Sequence, residues 1–99
     1  MSDGFRGIEA IITGKVQGVF YRQTAQRNAD RLHLSGWVKN AEDGSVVLQA
    51  RGASSDINAF IDWLWVGPVK AVVTNVYWSE LSDEASSALD RDAGFEIIK

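Results

Sequence analysis

Two amphipathic helical stripes on either side of a β-hairpin limit the folds open to this 99-residue chain. Tyr21, Ala25, Ala29 and Leu32 fall at i, i+4, i+8 and i+11, one face of a helix over Tyr21–Leu34. Gln23, Gln26, Arg27, Asp30 and Arg31 take its wet side. Ile57, Phe60, Ile61 and Leu64 fall at i, i+3, i+4 and i+7 in a second helix, which Ser54 or Ser55 is placed to cap and Gly67-Pro68 stops. Between the stripes, Ser35-Gly36 breaks the first helix. Trp37–Asn40 and Ser45–Arg51 then read as antiparallel strands joined by the turn Ala41-Glu42-Asp43-Gly44, where Gly44 supplies a positive φ. Gly52 ends the second of these strands.

A strand precedes the first helix. Ile8, Ala10 and Ile12 alternate with Glu9, Ile11 and Thr13 over Gly7–Thr13, which predicts a central strand buried on both faces. After the second helix, Ala71–Trp78 reads as a strand with Val72, Val76 and Trp78 on one face. Ser79–Gly94 reads as an acidic loop, and Phe95–Ile98 as a short terminal edge strand. The order is βαββαβ plus a small final strand. Two helices can cover only one face of the antiparallel sheet that the hairpin implies, so the expected fold is an α+β, ferredoxin-like sandwich in one domain spanning residues 1–99. That fold hosts unrelated functions and settles no chemistry.

Composition narrows the classes. The chain is 45% apolar with four Trp and four Phe, suited to a packed core. It has no cysteine, so disulfides and thiolate metal sites are excluded, and no apolar run approaches a membrane span. The start, Met1 to Gly7, shows no hydrophobic signal region, which makes the cytoplasm the expected compartment. Net charge is −3 but unevenly spread: residues 1–51 carry seven Lys and Arg against five Asp and Glu, residues 52–99 three against eight. Overall acidity argues against a nucleic-acid surface, and the basic excess of the first half suits a small anion.

Chemistry concentrates in Gly14-Lys15-Val16-Gln17-Gly18-Val19-Phe20-Tyr21-Arg22. A strand ends at Gly14, a second glycine follows, and Arg22 stands where the helix begins. Loop N–H groups, the helix N-terminus and a planar guanidinium together make an oxyanion cradle. The same residues also suit a plain strand-to-helix turn with a solvated Arg22. The spacing is neither a Walker A loop nor a dinucleotide fingerprint. Asn40 ends a strand beside the hairpin turn; its amide donates and accepts at once, as positioning a water requires, although Asn is equally at home in turns. His33, near the end of the first helix, has no catalytic partner nearby in sequence. Asp30, Asp56 and Asp62 read as solvated, Trp37 and Trp63 as packing residues, and no carboxylate or His cluster has metal-ligand spacing.

These residues carry a resemblance. Gly14 to Arg22 resembles the first acylphosphatase signature, glycine-x-valine-glutamine-glycine-valine-x-aromatic-arginine. Gly36-Trp37-Val38-Lys39-Asn40, with Gly44, Val46 and Gly52, resembles the second, and Ile57–Pro68 and Phe95–Ile98 resemble the family's second helix and closing strand. The resemblance implies that Arg22 binds the substrate phosphate, helped by backbone N–H groups of Lys15, Val16, Gln17, Gly18, Val19, Phe20 and Tyr21, and that Asn40 orients the attacking water. It implies an acyl phosphate as substrate, cleaved to carboxylate and phosphate without metal or cofactor. Inorganic phosphate is then product and inhibitor, and a monomer is the expected state. Two departures stand out. His33 replaces a glycine common after the first helix, and Trp65 and Val66 stand where basic or polar residues are usual. Trp65 either folds over the Gly67-Pro68 turn or leaves an exposed patch. The rival readings are a non-catalytic anion-binding or regulatory module on the same scaffold and an RNA-recognition domain; the latter fails on charge and on missing aromatic–basic motifs.

Overall fold

A computed structural model of the chain describes residues 4–89 and 93–99. The elements run β1 (Phe5–Lys15), α1 (Tyr21–Arg31), β2 (Ser35–Asn40), β3 (Val46–Ala53), α2 (Ser54–Val66), β4 (Val72–Glu80), α3 (Asp83–Ser87) and β5 (Phe95–Ile98). They form one five-stranded sheet in the order β4-β1-β3-β2-β5, with α1 and α2 packed on one face. The ferredoxin-like α+β sandwich expected from the element order is the fold observed. The first four strands pair antiparallel, whereas β5 joins the edge of β2 in parallel.

The two helical stripes set the core. Ile57, Phe60 and Leu64 of α2 are wholly buried, each contributing about 1.5–3 kcal/mol of burial. The Phe60 ring meets Phe95 edge-on at 5.8 Å, which ties α2 to β5. From α1, Tyr21, Ala25 and Ala29 enter the same core and Leu32 packs partly against it. Gly14 closes β1 where it must approach β4: a Cβ there would stand 2.1 Å from the Val72 carbonyl oxygen.

Several expectations are corrected. β1 does lie inside the sheet, but only one of its faces is buried along its length; on the face opposite α1 and α2, Gly7 is buried while Glu9 and Ile11 are exposed. α1 stops at Arg31, because His33 takes a left-handed conformation (φ 58°) and turns the chain into β2 at Ser35. β3 passes through Gly52 to Ala53 and directly into α2. Ala53 is the N-cap, without a side-chain hydrogen bond, so neither Ser54 nor Ser55 serves as the cap. On β4, Thr13 pairs with Asn75 but Gly14 with Val73, which leaves Thr74 as an extra residue. That bulge reverses the alternation, so Val73 joins Val76 against the core and Val72 is exposed. The stretch expected as an acidic loop from Ser79 begins as strand to Glu80 and then forms α3, capped by Ser82, whose hydroxyl accepts from the Ala85 N–H at 3.1 Å; its residues 90–92 lie outside the described residues. Gly7, which alternates with core-facing Ile8, lies directly under Ser86, so α3 covers part of the face opposite α1 and α2. Trp65 and Val66 are exposed, which decides for the patch.

Candidate active site

The segment between β1 and α1 turns on two left-handed residues, Gly18 (φ 73°) and Phe20 (φ 66°). Among the described residues, none of the backbone N–H groups from Gln17 to Gln23 donates to a protein acceptor; the first to do so is Thr24, to the Phe20 carbonyl at 3.1 Å. Unpaired N–H groups at a helix start favour an anion. Beside them is a pocket of about 150 Å³, lined by Val16, Gly18, Phe20, Tyr21, Arg22, Gln23 and Asn40. Arg22 and Asn40, from α1 and from the end of β2, therefore line one cavity. The Arg22 guanidinium makes no hydrogen bond or ion pair among the described residues, so its donors are uncommitted. The Asn40 Oδ1 is buried and likewise has no hydrogen-bond partner among the described residues. A buried acceptor left unpaired costs about 1–3 kcal/mol, and a bound water or ligand donor relieves that cost.

Two anchors hold the loop. The Gln17 amide nitrogen donates to the carbonyls of Ala41 at 2.8 Å and Ser45 at 2.9 Å, fastening the loop to the hairpin that carries Asn40. At the start of α1, the Tyr21 hydroxyl donates to the Leu64 carbonyl at 2.6 Å, and its ring packs on Trp63 at 5.3 Å. Burial pushes the Tyr21 pKa well above its ordinary value, so the phenol stays protonated and donating. The hairpin turn has its own brace: the Ser45 hydroxyl and N–H donate to the Asp43 carboxylate at 2.6 and 2.9 Å and hold its pKa below the ordinary value.

Of the residues expected to bind substrate, Val16, Gly18, Phe20 and Tyr21 line the pocket with Arg22 and Asn40. Lys15, Gln17 and Val19 do not. Lys15 is exposed at the strand end, Gln17 turns to the hairpin, and Val19 is buried in the core. Gln23 lines the pocket although its helical position reads only as solvent-facing; its place one residue after Arg22 was the available signal. His33 is exposed and is not part of the lining. No carboxylate or imidazole lines the pocket among the described residues, and none of their His, Cys, Asp and Glu side chains form a group of three or more able to hold a metal. No helix there is long and apolar enough to cross a membrane.

Comparison with known proteins gives a consistent result. A sequence model of the family Acylphosphatase matches residues 8–97. An acylphosphatase of Coxiella burnetii (strain Dugway 5J108-111) is 47% identical over 74 residues, covering 75% of this chain and 78% of that protein. Among solved structures, an acylphosphatase from Coxiella burnetii superposes with a TM-score of 0.84 at 37% identity, covering 95% of this chain and 93% of that one. The acylphosphatase from Bacillus subtilis gives 0.84 at 32% identity, covering 95% and 99%.

Proposed function

The chain belongs to the acylphosphatase family, and on that footing we propose that Arg22 binds the phosphoryl group of an acyl phosphate while Asn40 orients the water that attacks it. The reaction of the family is hydrolysis of a carboxyl–phosphate anhydride to carboxylate and phosphate, and it needs no metal. One observation carries the residue assignment: Arg22 and Asn40 line the same small pocket beside a row of N–H groups that are unpaired among the described residues.

The steps follow from what lines the cavity. The free N–H groups and the Arg22 fork hold the phosphoryl oxygens, where charge redistributes in the transition state. The Asn40 side-chain amide holds a water by hydrogen bonding and presents its oxygen to phosphorus. The water oxygen bonds to phosphorus as the bond to the acyl oxygen breaks, and the carboxylate leaves with the electron pair. The water's proton passes to a phosphoryl oxygen, since none of the described residues lining the pocket offers a carboxylate or imidazole to take it. A carboxylate leaves readily without a protein acid, so positioning and electrostatic stabilisation carry the catalysis. A regulatory anion-binding module would not require an asparagine in the same pocket as the arginine.

The same reading extends to the setting. The working unit in this reading is a monomer of a single domain over residues 1–99. The released inorganic phosphate, fitting the same cradle, acts as inhibitor. The absence of cysteine suits the reducing cytoplasm.

The deciding experiment is Arg22→Gln, assayed by hydrolysis of an aromatic acyl phosphate and by phosphate titration. The fold is expected to persist. Phosphate binding should weaken by about 1.5–3 kcal/mol, the worth of a charge-assisted contact, with turnover falling at least as much. Activity within a few-fold of wild type would refute the role of Arg22.

A further inference from the structure

Phe20 is placed in a way that neither packing nor backbone geometry explains. It is an aromatic residue with φ 66°, a conformation that costs a side-chain-bearing residue about 1–2 kcal/mol and that Gly or Asn adopts more easily. It occupies the N-cap of α1, yet its side chain cannot cap. Its carbonyl accepts from both the N–H and the hydroxyl of Thr24, at 3.1 and 2.8 Å, so the strained backbone is held in place. The ring is 68% exposed and adds little to the core.

The pocket suggests what the ring is for. At about 150 Å³ it falls below the roughly 300–1,000 Å³ of sites that enclose a whole small molecule. It has room for a phosphoryl group and a water but not for a bulky acyl group as well, which must emerge at the rim. Of the apolar lining residues, Val16 and Tyr21 are almost wholly buried, and the Tyr21 hydroxyl is committed to Leu64. Phe20 alone offers exposed apolar surface.

We propose that Phe20 receives the acyl group and makes this chain favour acyl phosphates with aromatic or other bulky apolar acyl groups over short ones. The proposal rests on the acylphosphatase reading of the pocket. An acyl group emerging from the cradle lies against the ring, and an aromatic one stacks on it in the offset or edge-on manner of aromatic pairs.

The test compares kcat/KM for benzoyl phosphate and acetyl phosphate in wild type, Phe20→Asn, Phe20→Gly and Phe20→Trp. Asn and Gly tolerate the left-handed backbone, so a native fold is expected and is checked by circular dichroism. The benzoyl-to-acetyl ratio should fall about three- to tenfold in both small variants, chiefly through KM for benzoyl phosphate, and should persist in Phe20→Trp. A backbone or loop defect would depress both substrates together. A ratio within about twofold of wild type in both small variants therefore overturns the role of Phe20. A wild type inactive on both substrates refutes the acylphosphatase reading itself, whereas an active wild type with an unchanged ratio in the small variants refutes only the acyl contact.

Discussion

Gln17→Glu exchanges one terminal nitrogen for oxygen and so isolates the link between the loop and the hairpin. In the wild type that nitrogen donates to Ala41 and Ser45 at 2.8 and 2.9 Å. Each neutral hydrogen bond is worth about 1 kcal/mol net. Neither carbonyl is stranded by their loss, because Ala41 O still accepts from the Gly44 N–H at 3.3 Å and Ser45 O from the Ala41 N–H at 2.9 Å. Gln17→Ala should therefore cost about 1–2 kcal/mol, or roughly 5–15 °C in Tm for a domain of this size. Gln17→Glu loses the same bonds and also brings a carboxylate against two carbonyl oxygens, so it should cost about 2–3 kcal/mol at neutral pH. Those oxygens raise the introduced carboxyl's pKa in the folded state, so the variant should recover part of its deficit as pH falls through the raised value and a donor returns. Urea unfolding of all three proteins at pH 7 and pH 5 measures both effects. The link also sets how the N–H row faces Asn40, and a misplacement of 1 Å can cost about a hundredfold in rate. The kcat of Gln17→Ala should accordingly fall by about tenfold or more. If Gln17→Glu unfolds at the same urea concentration as wild type at pH 7, the two hydrogen bonds do not hold the loop and the reasoning fails.

Asn40→Ala should lower kcat while phosphate titrates nearly as in wild type; parallel loss of rate and phosphate affinity would mean that Asn40 maintains the loop instead. His33→Gly removes a residue from the left-handed region and loses little contact, since His33 is exposed, so it should stabilise by about 0.5–1 kcal/mol, and a lower Tm would contradict that account. Asp43, with its pKa lowered mainly by Ser45, stabilises the hairpin above the ordinary carboxylate value near 3.9 and loses that contribution as pH falls through its lower folded value. The stability gap between wild type and Asp43→Ala should thus be full at neutral pH and narrow in acid; a gap that widens on acidification would reverse the sign. Phosphate at a hundredfold over its Kd should add about 2.7 kcal/mol to wild-type stability, while EDTA should leave Tm and turnover unchanged.

Elements whose pattern is set by one face were legible in the sequence. The α2 stripe is the clearest case, since Ile57, Phe60, Ile61 and Leu64 recur at the helical period because one face meets the core. The β4 face was misread at its start because the bulge at Thr74 is imposed by β1 across the sheet, where Gly14 approaches too closely for a side chain. α3 has five mostly polar residues and no stripe to reveal it, and the parallel docking of β5 is a tertiary choice. In the site, the loop and Asn40 were visible as separate motifs, whereas their shared pocket is not contained in the spacing between Arg22 and Asn40. The side chain of Gln17 was the least readable of all, because its partners lie 24 and 28 residues away.

The two anchors of the loop bear on how the chain acquires its activity. The Gln17 bonds require the β2–β3 hairpin, and the Tyr21 bond spans 43 residues to the last turn of α2. No local segment can assemble the cradle by itself: β1 with α1 would bring Arg22 beside the N–H row without fixing either. Contacts of such separation form late, after loop closure has been overcome. Catalytic competence is therefore a property of the completed fold, and during refolding the return of turnover should track the slowest global signal rather than the early appearance of helix.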